Sequence, residues 1–179
     1  MTDTEVLIDL LEIQQRGIHT ALDDAPQALI AYRPDPEANN VSNIVWHFTR
    51  LADYLLTNIL GAKASEEQLW FTEGWADKTD YYPLGKGAHG WGTLMGYSKE
   101  EMLEVPILER GDLLSYFDAV YAGLKSSLQT LDGSAEVPAA GGDGEKTVLY
   151  WTKLILVDNT RHLGQIQYLK AMFERMNEA

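Results

Sequence analysis

The chain contains no cysteine. That excludes disulfides, thiolate metal sites and a cysteine nucleophile, and leaves any metal to His, Asp or Glu. Histidine is scarce as well, with His19, His47, His89 and His162 the full set. Basic residues are outnumbered 14 to 27, for a net charge of −13. Such a surface repels nucleic-acid phosphates and anionic membranes, so neither is expected as a partner. No apolar run reaches the ~18 residues needed to span a bilayer. The opening "MTDTEVLIDLL" is acidic and lacks the basic start of a secretory signal, so a cytoplasmic location is expected. Two catalytic signatures are missing too. "AAGGDGEK" has neither the preceding strand nor the spacing of a phosphate-binding P-loop, and there is no G-x-S-x-G elbow.

What is present is an ordinary globular composition, 45% hydrophobic and 23% charged over 179 residues. That length suits a single domain, 1–179, with one sizeable core. Residues 4–22 carry Leu7, Leu10, Leu11, Gln14, Ile18 and Leu22 at steps of three and four, which predicts a first amphipathic helix. Thr2 and Glu5 have capping-box spacing before it. A second helix is predicted over 41–60, capped by Asn40 or Ser42 and closed by Gly61. Its apolar stripe reads Ile44, His47, Phe48, Leu51, Leu55 and Asn58.

Residues 66–97 hold seven aromatics among six glycines, with little periodicity. So much aromatic area argues for an ordered insertion packed on the helices rather than a disordered one. Ser98 and Glu101 form a second capping box for a short helix at 98–104. A third long helix is predicted over 111–131, ended by Gly133, and a fourth over 146–176. "GSAEVPAAGGDGEK" between them reads as a flexible linker. With four long helices, no convincing strand pair and no internal repeat, the fold class is all-α, a four-helix bundle.

Two stripes are interrupted by ionisable groups. His47 breaks the second helix's stripe, and Asp158 and His162 break the fourth's. Burying such groups costs several kcal/mol (about 2–7 for an unpaired polar group) unless they are paired or bound. An i,i+4 pair on one helix plus one group from another is a compact way to surround one ion, since a helical turn rises only ~5.4 Å. Two imidazoles and a carboxylate suit Zn²⁺, Ni²⁺ or Fe²⁺ with positions left open. The competing reading is a metal-free core network, in which Asp158 and His162 form an intrahelical ion pair worth about 0.2–0.5 kcal/mol and His47 bonds a backbone carbonyl. His19 and His89 share no stripe with another candidate.

The segments "NNVSNIVWHFTRLADYLL", "LWFTEGWADKTDYYPLGKGAHGWGTLMGYSKEEM" and "VDNTRHLGQIQYLKAMF" resemble the DinB-like (DinB/YfiT) superfamily, in its branch with a tryptophan-rich middle segment. "WH" on the second helix and "H-x-G-Q-I-x-x-L" on the fourth are the most specific parts. The resemblance covers about residues 5–175. It implies an up-down-down-up bundle with a long crossover between the second and third helices, and a divalent metal, often nickel or zinc, at one end. The common pattern is one His on the second helix and H-x-x-x-H on the fourth. His47 and His162 match it; the middle position is Asp158. The shorter carboxylate would ligate directly or through water.

Members of known activity are often transferases or isomerases that use a low-molecular-weight thiol such as mycothiol, bacillithiol or glutathione. The expectation is therefore a metal-dependent enzyme acting on a small-molecule substrate, an S-transferase or a hydrolase, with a metal site of His47, Asp158 and His162. Trp46, Arg50 and the 70–97 aromatics are expected near its pocket. The alternatives are a non-catalytic helical binding or assembly module and a degenerate member without the ion. A homodimer is expected by family habit.

Overall fold

The computed structural model describes residues 2–137 and 146–177. The chain begins with helix α1, Asp3–Leu22, whose first turn is closed by the expected capping box: Thr2 Oγ1 accepts from Glu5 N, and the Glu5 carboxylate accepts from Thr2 N. A single turn, α2 (Gln27–Ile30), precedes helix α3, Val41–Tyr54. Of the two caps expected for α3, Asn40 serves, its Oδ1 accepting from Asn43 N at 2.6 Å. Ser42 lies inside the helix and accepts from Leu108 N at 3.0 Å instead. Beyond Tyr54 the helix continues as one π-turn, Leu55–Leu60, before Gly61.

The insertion is ordered and made of short pieces: a 3₁₀ turn Ser65–Glu67, α4 (Leu69–Thr72), α5 (Trp75–Thr79) and a 3₁₀ turn Ala88–Gly90. Helix α6 is Lys99–Glu104, with the expected Ser98–Glu101 capping box. Helix α7, Arg110–Leu128, stops short of Gly133, and α8 is Val148–Asn177. One expectation is corrected here. A strand pair does exist: β1 (Glu136–Val137) and β2 (Lys146–Thr147) pair antiparallel, Glu136 opposite Thr147. Two residues per strand are too few for a sequence alternation to show. The centre of the expected linker, 138–145, lies outside the described residues.

Side-chain contacts fix the directions of three of the four long helices. α1 packs on both α7 and α8, and so does α3. Gln14 bonds the Leu156 carbonyl and Lys170 bonds the Ala21 carbonyl, so α1 and α8 run the same way. His19 meets Asp118 while Lys125 meets Gln15, so α7 runs against α1. Between the helices lies one continuous apolar core, from Leu7, Leu11 and Ile18 through Val45, Phe48 and Phe117 to Val148 and Ile166. Three buried polar residues span it: Gln14 accepts from the Tyr121 hydroxyl at 3.0 Å, which in turn accepts from Asn159 Nδ2 at 2.8 Å.

Trp46 and Arg50 belong to this interior and not to a pocket wall; both are fully buried. Trp46 packs edge-on against Trp70 and Tyr81 of the insertion. No helix among the described residues is long and apolar enough to cross a membrane.

Candidate metal centre

His47 projects from the middle of α3, and Asp158 and His162 from successive turns of α8. The two helices pack together, and the three side chains converge from positions over a hundred residues apart in the chain. Ligand atoms of the three lie within 4.8 Å of one another. Asp158 Oδ2 is 3.4 Å from His162 Nε2 and 3.9 Å from His47 Nε2. Two ligands each ~2.1 Å from a tetrahedral ion sit about 3.4 Å apart, so the donor set is close to the spacing one ion requires. The two imidazoles meet edge to face, centroids 4.9 Å apart, and His162 lies nearly parallel to Phe48. The triad is half-buried.

The other ring nitrogens are both taken. His47 Nδ1 bonds the backbone carbonyl of Thr93 in the insertion. A carbonyl only accepts, so Nδ1 carries the proton and Nε2 presents its lone pair to the triad. His162 Nδ1 contacts Gln165 Oε1 at 2.9 Å. Metal-ligating histidines are commonly held in this manner, by an acceptor on the nitrogen that does not bind the ion.

The electrostatics differ between the imidazoles. Burial pushes the His47 pKa below its ordinary value, outweighing the pull of the Thr93 carbonyl, and His162 adds to the depression. His47 is therefore neutral at pH 7. The facing Asp158 carboxylate raises the His162 pKa against the effect of burial. The same contact lowers that of Asp158. In the metal-free protein each member of the α8 pair thus favours the charged form of the other.

One turn along the α3–α8 seam the triad is followed by an apolar cavity of about 30 Å³, walled by Leu51, Tyr54, Leu55, Ile59, Trp91, Trp151 and Ile155. Trp91 is thus the aromatic of the insertion that reaches this neighbourhood, stacked on Tyr54 at 4.6 Å. The other two histidines lie apart from the triad. His19 bridges Asp23 and Asp118, and His89 stacks on Trp91. Two contributors escaped the sequence reading. The Thr93 carbonyl carries no residue-type signal, and Gln165, three residues after His162, is exposed yet accepts at the ring.

A model of the DinB superfamily matches residues 10–166. The chain belongs to the DinB superfamily. Among solved structures it is similar to a conserved protein from Enterococcus faecalis, with 21% identity, 95% of this chain and 96% of that one covered, and a TM-score of 0.76. At that identity the likeness establishes a shared fold. A comparison with curated proteins finds no match.

Proposed function

We propose that this DinB protein is a divalent-metal-dependent enzyme, with His47, Asp158 and His162 holding one Zn²⁺, Ni²⁺ or Fe²⁺. The observation that carries the reading is the convergence of the two Nε2 atoms on Asp158 while both Nδ1 atoms are bonded to acceptors elsewhere. A core network needs no such orientation. In this reading the four long helices form an up-down-down-up bundle, with the triad on the α3–α8 seam and the insertion as one wall.

A bound ion would supply Lewis acidity, lowering the pKa of a coordinated thiol or water. The reaction is accordingly S-transfer from a low-molecular-weight thiol to a small electrophile, or hydrolysis. The protein's own share is threefold. His47 stays neutral and offers an oriented lone pair. Asp158 contributes the one negative charge of the donor set. Trp91, Tyr54 and the neighbouring apolar side chains keep water from the inner end of the seam. The test is metal analysis of protein purified without an affinity tag. Near-stoichiometric metal in the wild type, lost in His162→Ala, is expected. Substoichiometric metal in the wild type, unchanged in His162→Ala, overturns the proposal.

The second reading is a metal-free helical module, favoured by the self-sufficiency of the Asp158–His162 pair at 3.4 Å. His162→Leu separates the two: a neutral or stabilising effect supports the module, and loss of metal with a lower melting temperature supports the enzyme. The homodimer remains part of the proposal. Leu10 and Ile13 of α1 and Val157 of α8 are exposed side by side. Acidic Asp9 and Glu12 flank them on α1, and basic Lys153 and Arg161 on α8. A two-fold axis laying α1 on the partner's α8 would cover the apolar stripe and oppose the charges.

A further inference from the structure

We propose that Arg50 is a positioning residue for His47, acting through the main chain of residues 91–93; its purpose rests on the metal reading above. Arg50 lies on α3 three residues beyond His47 and is fully buried. Its Nε donates to the Gly92 carbonyl at 3.3 Å, next in the chain to the Thr93 carbonyl that accepts from His47. The rest of the guanidinium is committed elsewhere. Nη1 donates to Asp53 Oδ2 and to the Tyr116 hydroxyl, and Nη2 to Gln68 Oε1 at 2.6 Å. Those acceptors are themselves fixed. Asp53 also accepts from Leu69 N and Trp70 N, both at 3.0 Å, and from the Tyr116 hydroxyl at 2.8 Å. Trp46, Trp70 and Phe71 flank the cation. The plane of the guanidinium is therefore set, and its Nε–H is aimed at the Gly92 carbonyl.

The insertion offers a matching strap. Gly92 has φ +64, and a Cβ there would stand 2.5 Å from the Pro83 carbonyl oxygen, so only glycine lets the chain pass. Gly92 N donates to the Lys86 carbonyl at 3.2 Å, and Trp91 is stacked between Tyr54 and His89. The strap is thus tied on one side by its own turn and on the other by Arg50.

The consequence for His47 is a choice of tautomer. With the Thr93 carbonyl in place, the proton stays on Nδ1 and Nε2 is a ligand. With the carbonyl displaced, the proton can move to Nε2 and face Asp158 Oδ2, 3.9 Å away, turning a ligand into a donor. A lysine at 50 could keep a cation beside Asp53 but has no fork to reach Gly92 and Gln68 together.

The experiment reads the His47 tautomer by ¹⁵N–¹H NMR of the metal-free protein, and Zn²⁺ affinity by chelator competition, in wild type, Arg50→Lys and Gly92→Ala. Expected are an Nδ1–H tautomer in the wild type, a mixture of tautomers in both variants, and Zn²⁺ binding weakened about 10- to 100-fold in each. His19→Gln, remote from the triad, should leave both readouts unchanged. The inference is overturned by an Nε2–H tautomer in the wild type. It is equally overturned if the variants fold, by their melting curves, and keep both the wild-type tautomer and affinity. If Arg50→Lys does not fold, Gly92→Ala decides, since it moves the strap and leaves the Arg50 side chain itself unchanged. Should Gly92→Ala also fail, hydrogen exchange at the wild-type Arg50 Nε–H decides: slow exchange upholds the bond to Gly92 and fast exchange overturns it. A wild type that binds no Zn²⁺ yet shows the tautomer and its loss in the variants would uphold the positioning and remove the metal function.

Discussion

Replacing Asp158 by Asn tests whether the acid is a ligand or half of a helical ion pair, because the two roles predict different sizes of effect. In the metal-free protein Asp158 is about a third exposed and His162 is 3.4 Å away, one turn later on α8. An i,i+4 pair so placed is worth about 0.3–0.5 kcal/mol, which is about 1–2 °C in melting temperature for a domain of this size. With a divalent ion at a hundred times its dissociation constant, the wild type gains about 2.7 kcal/mol, or about 5–11 °C. Removing one of three ligands should weaken binding by at least the ~100-fold known for residues that merely support ligands. At the same ion concentration Asp158→Asn then gains only about 0.4 kcal/mol, or about 1–2 °C. Scanning calorimetry of both proteins, with chelator and with Zn²⁺ or Ni²⁺, gives the four melting temperatures. Equal metal-induced shifts in wild type and variant would refute direct ligation by Asp158. A wild type without any shift would refute the metal site as a whole.

Three further outcomes are expected. Asp53→Asn leaves the buried Arg50 cation without its carboxylate, and a broken buried pair costs about 3–5 kcal/mol; urea unfolding should show it, and a loss below about 1 kcal/mol would mean the network relaxes freely. Burial lowers the His19 pKa, but bonds to the Asp118 and Asp23 carboxylates more than offset it and leave the value above the ordinary ~6.5. The protonated ring is therefore favoured by the fold, and its contribution is full below that ordinary value and lost as pH rises through the raised one. The stability difference between wild type and His19→Gln should accordingly shrink between about pH 6 and 8, and a difference that grows over that range would reverse the assignment. Val157→Lys places a charge in the exposed stripe beside Leu10 and Ile13, so light scattering should report a dimer for the wild type and a monomer for the variant; an unchanged mass would move the proposed interface elsewhere.

The helices were legible because their apolar residues recur with a helical period and their caps carry side chains. Thr2 and Ser98 act as read, and of the two caps offered for α3 Asn40 is the one used. Leu10 was read as core but is 42% exposed, since a stripe shows which face is apolar and not how wide a strip its neighbours cover. The π-turn at Leu55–Leu60 left no trace, as its one extra residue per turn is hidden in an apolar run. At the site, His47, Asp158 and His162 were found because ionisable groups on an apolar face are expensive and therefore conspicuous. Arg50 was noticed but misplaced. One arginine in a helix looks the same whether its head reaches solvent or a buried carboxylate, and the carboxylate that decides, Asp53, also serves backbone groups of the insertion. The Thr93 contribution is main chain, and no residue type announces it.

The order in which the helices meet has a further consequence, for synthesis on the ribosome. The first helix packs against the last two, and its long parallel contact is with the very last. Part of its apolar face must therefore stay uncovered until α8 has emerged. Two of the three proposed ligands arrive with that final helix. A nascent or prematurely terminated chain lacking it would hold one of the three proposed ligands and no ion site, so under the metal proposal loading waits for α8 to dock.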